Sequence, residues 1–284
     1  MSAGELVLRL GAWLLSAAFL LALTALVQRQ LSLGRPALDL VSFLVLGIFL
    51  TTLFVFLTGL AGLLRPVPLA IASGAGLGLM TGVPGCRRSL RQTASELCGV
   101  LAVIRLFWGS LPPWLRLFSA AGLLISLLRF AFLIWALPPF VWDALTYHLT
   151  NVAHWVQAGR IELFETPILR IYTSANYEVL AAWFTVFLHH DAFVEAAGLP
   201  AYLLATAAVY ASARSLGCSR QAAWMACLAY ASTPALLLAT TGTKNDPHMA
   251  AYYLTAMALV LDLALRRMQP RQTLSSLVLL TATL

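Results

Sequence analysis

Residues 117–137 read LFSAAGLLISLLRFAFLIWAL, and residues 138–161 continue PPFVWDALTYHLTNVAHWVQAGRI. The first piece is apolar except for Arg129 and has the length of about 20 residues that crossing a hydrocarbon core requires. Pro138-Pro139 ends it, because proline lacks an amide donor and its ring clashes with the preceding helical turn. Aspartate and histidine then appear at once. This abrupt change from span to polar surface segment sets the reading of the whole chain.

The same apolar texture runs outward in both directions. Candidate spans lie at 6–27, 38–63, 67–83, 193–213, 221–241 and 249–265, and a last run, 272–284, is still apolar where the sequence stops. Of the 284 residues, 61% are hydrophobic and 10% charged, with mean hydropathy +0.85. A soluble domain is about a quarter charged. So few charges cannot cover a globular surface, which excludes a soluble enzyme, a disordered chain and a nucleic-acid binder. The fold class expected is an all-α, polytopic transmembrane bundle. The run at 6–27 is too long for a signal-peptide core and reads as a retained span. Residues 97–111, with Arg105 and a Pro112-Pro113 end, read as a re-entrant or interfacial piece. Residues 179–188 are too short to cross.

Charge placement gives an orientation. The net charge is +7, and 17 of the 18 cations are arginine, Lys244 being the exception. Placing Arg87, Arg88, Arg91 and Arg116 in the cytoplasm follows the excess of cations in cytoplasmic loops. The span 117–137 then leads out, and 138–192 lies outside. The later spans return to Arg214 and Arg220, lead out to Lys244-Asn245-Asp246, and return to Arg266, Arg267 and Arg271. Asp143 and Asp246 fall on one, outer, side. The expected location is the plasma (inner) membrane with an extracytoplasmic site.

Within the outer segment, Leu145, Leu149, Val152 and Val156 recur at helical spacing, with Thr146, Asn151, His154 and Gln157 elsewhere on the wheel. That pattern predicts an amphipathic helix in the membrane interface, with Trp142, Tyr147 and Trp155 at headgroup depth. Asp143 reads as its N-cap, and equally as a carboxylate placed to take a proton from an incoming nucleophile. Asp246 reads as a cap loosely paired with Lys244. Two acids on one face with His148 and His248 beside them form a candidate site. His148, Asp143, Glu178, Asp246 and His248 offer mixed nitrogen and oxygen ligands for a possible divalent cation, although no HxxxH or HExxH spacing occurs. Arg170, near Tyr172 and Asn176, is a solvated arginine or a phosphate fork. Cys86, Cys98, Cys218 and Cys227 show no metal spacing and read as small packing residues. Gly74, Gly76, Gly78 and Gly82 suit close helix packing. There is no Gly-rich phosphate loop and no GxSxG.

The order of a span, WDALTYHLTNVAHW, a YTSANYEVLAAW loop, a span ending in arginine, a span carrying Pro234, TKND and a further span resembles the C-type superfold (GT-C) membrane glycosyltransferases, and among them the dolichyl-phosphate-mannose-protein mannosyltransferase-like proteins. The resemblance covers about 117–265. It implies an added helical bundle at 1–111, and a catalytic core at 112–284 that continues beyond the given C-terminus. It also implies sugar transfer from a polyprenyl-phosphate donor, among membrane lipids, to an acceptor hydroxyl at the outer face, with the acceptor itself left open. By the same resemblance Asp143 is the catalytic base, and Asp246 helps hold acceptor, donor phosphate or a metal. Tyr147, His148, Arg170, Glu178, Lys244 and Asn245 become substrate-binding residues, with Arg170 and Lys244 facing the departing phosphate. Thr150 and Thr173-Ser174-Ala175 depart from the family pattern, which bears on acceptor shape. The competing expectations are a transporter or flippase, which would bury polar groups in broken helices, and a non-catalytic scaffold.

Overall fold

The computed structural model of the chain describes residues 3–83, 105–166, 175–188, 191–265 and 270–283. Among them there is no strand, and the architecture is an all-α bundle. The helices are α1 (Ala3–Gln30), α2 (Pro36–Leu60), α3 (Pro66–Gly82), α4 (Pro113–Ala136), α5 (Leu149–Ala158), α6 (Asn176–Val186), α7 (Leu199–Ser215), α8 (Arg220–Ala231), α9 (Pro234–Thr240), α10 (Asp246–Leu265) and α11 (Pro270–Thr281). A π-helical turn, Ala144–His148, leads into α5, and a 3-10 segment, Asp191–Gly198, leads into α7. Proline begins α2, α3, α4, α9 and α11. It costs nothing there, because the first turn has no intrahelical acceptor for an amide.

Five helical segments are long and apolar enough to cross a membrane: Gly4–Gln30, Pro36–Leu60, Pro113–Ala136, Phe193–Ser215 and Asp246–Leu265. The chain is therefore a multi-pass membrane protein. Three expectations need correction. The run 221–241 is not one straight helix: α8 and α9 meet at Thr233-Pro234 with a bend of 62°. Proline removes a helical hydrogen bond and pushes the residue before it out of the α region, and Thr233 is extended with ψ 118°. The run 67–83 forms α3, whose 17 residues fall short of a full span, and 272–284 forms the 12-residue α11. Of 97–111, residues 105–110 are helical and the part before 105 lies outside the described residues.

Among the described residues, two large apolar cores and a smaller one at Phe130, Tyr202 and Leu237 hold the bundle. Of the large ones, one joins Leu20, Val55, Leu64 and Leu69 to Val152, Trp155, Trp183 and Phe187. The other joins Val41, Val45 and Ile48 to Leu204, Ala208, Ala258 and Leu259. Both mix residues from before and after residue 111. Ala201, Ala205, Ala208 and Ala211 on α7, with Ala251 and Ala258 on α10, let those helices approach closely, as small residues do in bilayers. By contrast α4 keeps Leu117, Phe118, Leu124, Phe132 and Trp135 exposed, a surface suited to lipid. Among the glycines expected to serve packing, a Cβ on Gly76 would lie 2.3 Å from Phe54 and one on Gly74 3.0 Å from Phe19, but Gly78 and Gly82 meet nothing within 4 Å. Cys227 is buried as expected. Cys218 is exposed in the turn before α8, and Cys86 and Cys98 lie outside the described residues.

Among the described glycines the closest approach is at Gly198. A Cβ there would sit 1.8 Å from the Thr240 carbonyl oxygen, so backbone meets backbone where the 3-10 segment passes the end of α9. Gly198→Ala should force the two apart and destabilise the chain by about 1–3 kcal/mol. Gly78→Ala, in open helical surroundings, should be neutral or stabilising by up to about 1 kcal/mol. Thermal unfolding in detergent compares them. Equal melting temperatures for the two variants would refute the backbone contact.

Candidate functional site

The site begins with an irregularity. Across Ala144–His148 the Leu149 amide donates to the Ala144 carbonyl, one residue further back than in an α-helix. Such π turns insert a residue and re-aim the side chains that follow. The buried face downstream is His148, Asn151, Val152, Trp155 and Val156, at i, i+3, i+4, i+7 and i+8. Leu145 is left 53% exposed. The helix is amphipathic as expected, but its faces differ from those read in the sequence: Asn151 is buried, and Trp155 lies in the apolar core. The Trp155 indole N–H donates to the Glu162 carbonyl at 2.9 Å. Trp142 is exposed and Tyr147 half-buried. Helix α5 closes on Gly159, which adopts a left-handed φ of 70° that glycine tolerates. The turn is then tied to the end of α2, Leu64 donating to the Gly159 carbonyl and Ile161 to that of Gly59.

His148 is 1% exposed and Glu178 2%. His148 Nδ1 and Glu178 Oε1 are 2.5 Å apart, joining the π turn to the first turn of α6. The Tyr177 ring stands edge-on to His148, with centroids 5.8 Å apart, and lies 4.9 Å from His248 of α10. Burial, the largest influence, raises the Tyr177 phenol far above its ordinary pKa. The Thr243 hydroxyl works against the rise, without reaching hydrogen-bond geometry, while Glu178 and Glu195 add to it. Tyr177 is thus a neutral hydroxyl at any physiological pH.

Several buried polar atoms here have no hydrogen-bond partner: the Tyr177 hydroxyl, Glu178 Oε2, the Thr243 hydroxyl, both ring nitrogens of His248, and Glu195 Oε1. Leaving a polar group buried and unpaired costs about 1–3 kcal/mol, a deficit that an ordered water or a polar ligand would relieve. Thr243 also holds a φ of 49° while fully buried. A β-branched residue in that region is strained by about 1–3 kcal/mol, and such strain gathers at functional sites.

Lys244, next in the chain, places Nζ 3.6 Å from Asp143 Oδ2, each side chain about 30% exposed. Two segments a hundred residues apart thus meet. The expected pairing of Lys244 with Asp246 is replaced by this one, and Asp143 makes no N-cap hydrogen bond, because it already has helical φ and ψ. Asp246 is exposed in the first turn of α10, and the Asn245 carbonyl accepts from the amides of His248 and Met249 to begin that helix. Arg170 and Tyr172 lie outside the described residues. The five residues considered as cation ligands do not assemble, for among the described residues no three His, Cys, Asp or Glu side chains come together in a metal-holding group.

The sequence reading missed Tyr177, Thr243 and Glu195. Glu195 did carry a signal, an acid inside the apolar run 193–213, where ionisable groups are expensive and usually functional. Removing His148 alone strands the Glu178 carboxyl. His148→Leu should therefore destabilise by about 3–5 kcal/mol, and the double variant His148→Leu/Glu178→Leu by less. Unfolding of both in detergent decides it; a double variant no more stable than the single would show that the two groups do not depend on each other. No family model, curated protein or solved structure matches the chain, so its own geometry is what bears on function.

Proposed function

We propose that the chain transfers a sugar from a polyprenyl-phosphate donor to an acceptor hydroxyl at the extracytoplasmic face of the plasma membrane. The observation that carries this reading is the Asp143–Lys244 pair, a carboxylate and an ammonium 3.6 Å apart at one end of the bundle. Sugar transfer from a lipid phosphate needs those two charges. The acceptor oxygen attacks the anomeric carbon and gives its proton to Asp143, the general base. The bond from that carbon to the phosphate oxygen breaks, and the electron pair leaves with the prenyl phosphate, whose charge Lys244 stabilises. A phosphate leaving group needs no acid, so a single carboxylate suffices.

The remaining groups take binding roles. Glu178, oriented by His148, offers Oε2 to sugar hydroxyls. Tyr147 lies beside His148 with ring centroids 4.2 Å apart. Asp246 and Asn245, flanking Lys244 in sequence, position the acceptor or the donor phosphate, and Arg170 supplies a second cation. Charge distribution supports the outward orientation. Among the described residues, Arg29, Arg35, Arg105, Arg116, Arg214, Arg220 and Arg271 belong to the opposite end, against Arg9, Arg65, Arg160 and Lys244 at the site end. The richer end belongs in the cytoplasm.

One observation favours a second reading, a transporter or flippase: the 62° break between α8 and α9 leads directly to the site turn, and broken helices form substrate sites in transporters. Membranes carrying wild type or Asp143→Asn at equal levels, supplied with radiolabelled polyprenyl-phosphate hexoses, separate the two. Sugar transfer predicts label in a new glycosidic product, lowered about 10²–10⁴-fold by Asp143→Asn. Label that crosses the bilayer with its donor bond intact would favour transport, and equal transfer by both proteins would remove Asp143 from the chemistry.

A further inference from the structure

The opposite end of the bundle holds a second feature, independent of sugar transfer. A cavity of about 520 Å³ opens there, within the size range of ligand pockets. Arg35, Arg214 and Arg220 line it, with Tyr210, Leu106 and Phe107. One carboxylate answers the three guanidiniums: Arg35 pairs with Asp262 of α10, which is 1% exposed and also accepts from the Ser215 hydroxyl. Arg214 donates to the Cys218 carbonyl, which fixes its side chain at the cavity wall and leaves further N–H groups of its fork. Among the described residues no carboxylate is paired with Arg214 or Arg220, so two positive charges flank one hollow.

Apart from the arginines, Tyr210 and Ser215, whose hydroxyl is given to Asp262, the lining is apolar: Pro36, Ala37, Leu38, Leu106, Phe107 and Ala211. Such a wall offers few donors to a fully hydrated anion. It suits a ligand whose charge sits on one phosphate and whose remainder is hydrocarbon. The cavity also lies where α2 begins and α7 ends, at the ends of membrane-crossing helices, which is headgroup depth. Basic pockets between helices at that depth bind anionic lipid headgroups.

We propose that this cavity binds the phosphate headgroup of an anionic phospholipid, held by Arg214 and Arg220 and by the outer edge of the Arg35–Asp262 pair, with an acyl chain along Leu106 and Phe107. The bound lipid neutralises the arginines and ties α2, α7 and the start of α8 together at this end.

Native mass spectrometry of the full chain in detergent tests this with phosphatidylglycerol, phosphatidylcholine and inorganic phosphate. Phosphatidylglycerol should bind in preference to phosphatidylcholine, and inorganic phosphate should not displace it. Arg214→Gln/Arg220→Gln should lose affinity by about fivefold per arginine removed. Arg220→Gln alone, whose side chain is exposed at a helix start, should show the single about fivefold loss even if the double variant misfolds. Equal binding of the two lipids, or undiminished phosphatidylglycerol binding by Arg220→Gln, would overturn the proposal. Displacement by inorganic phosphate would reassign the cavity to a small anion and overturn the lipid assignment.

Discussion

The contact between His148 and Glu178 is the constraint on which the site end depends. Neither α5, with ten residues, nor α6, with eleven, can cross a bilayer, so both must be held against the spans by packing and by polar pairing. The π turn rotates His148 inward, and α6 begins with Tyr177 and Glu178 facing it. Once that contact forms, Trp155 and Trp183 come to rest in one apolar core with Leu20, Val55 and Leu69 from the N-terminal helices. The polar link joins the two short helices, and the aromatic burial adds apolar stabilisation.

A second constraint reaches the same place from the other side. The break at Pro234 turns α9 out of line with α8, and Gly198 lets the Thr240 carbonyl come against the 3-10 segment. The turn 241–245 lies between these contacts, and within it the fully buried Thr243 holds a φ of 49°. Lys244 emerges from that turn at a fixed place opposite Asp143. Strain in the backbone and the ion pair at the surface are two consequences of one packing arrangement.

Much of this was legible in the residues. Hydropathy located the long spans, Pro138-Pro139 ended α4 as expected, and ten apolar residues at 179–188 were rightly too few to cross. Asp143 and the Lys244 segment, read as lying on one side, do meet. What the sequence concealed has physical reasons. A wheel drawn at 3.6 residues per turn passes through Ala144–His148 as if no residue were inserted, and so it misassigned Leu145 and Asn151. Hydropathy averages over a proline, so it joined α8 to α9. The partner of Lys244 depends on which of two acids the tertiary fold brings closer, and no local pattern carries that. Tyr177 and Thr243 are ordinary residue types whose importance comes from being buried without partners.

The two ends of the bundle use ionisable groups in opposite ways. Asp262 is as buried as Glu178, and its Oδ1 meets both the Arg35 guanidinium and the Ser215 hydroxyl, joining α10 to the start of α2 and the end of α7. Breaking such a pair costs several kcal/mol, about 3–5, which suits a tether. Glu178 has one partner on one oxygen, and around it the hydroxyls of Tyr177 and Thr243 and both nitrogens of His248 have none. In an apolar medium nothing offsets that deficit except a ligand or water that brings its own donors and acceptors. Burial alone therefore does not distinguish a structural acid from a functional one in a membrane bundle. The surroundings differ instead: Asp262 sits beside a guanidinium, whereas Glu178 sits among hydroxyls and imidazole nitrogens that lack partners, at the end to which the proposed sugar transfer is assigned.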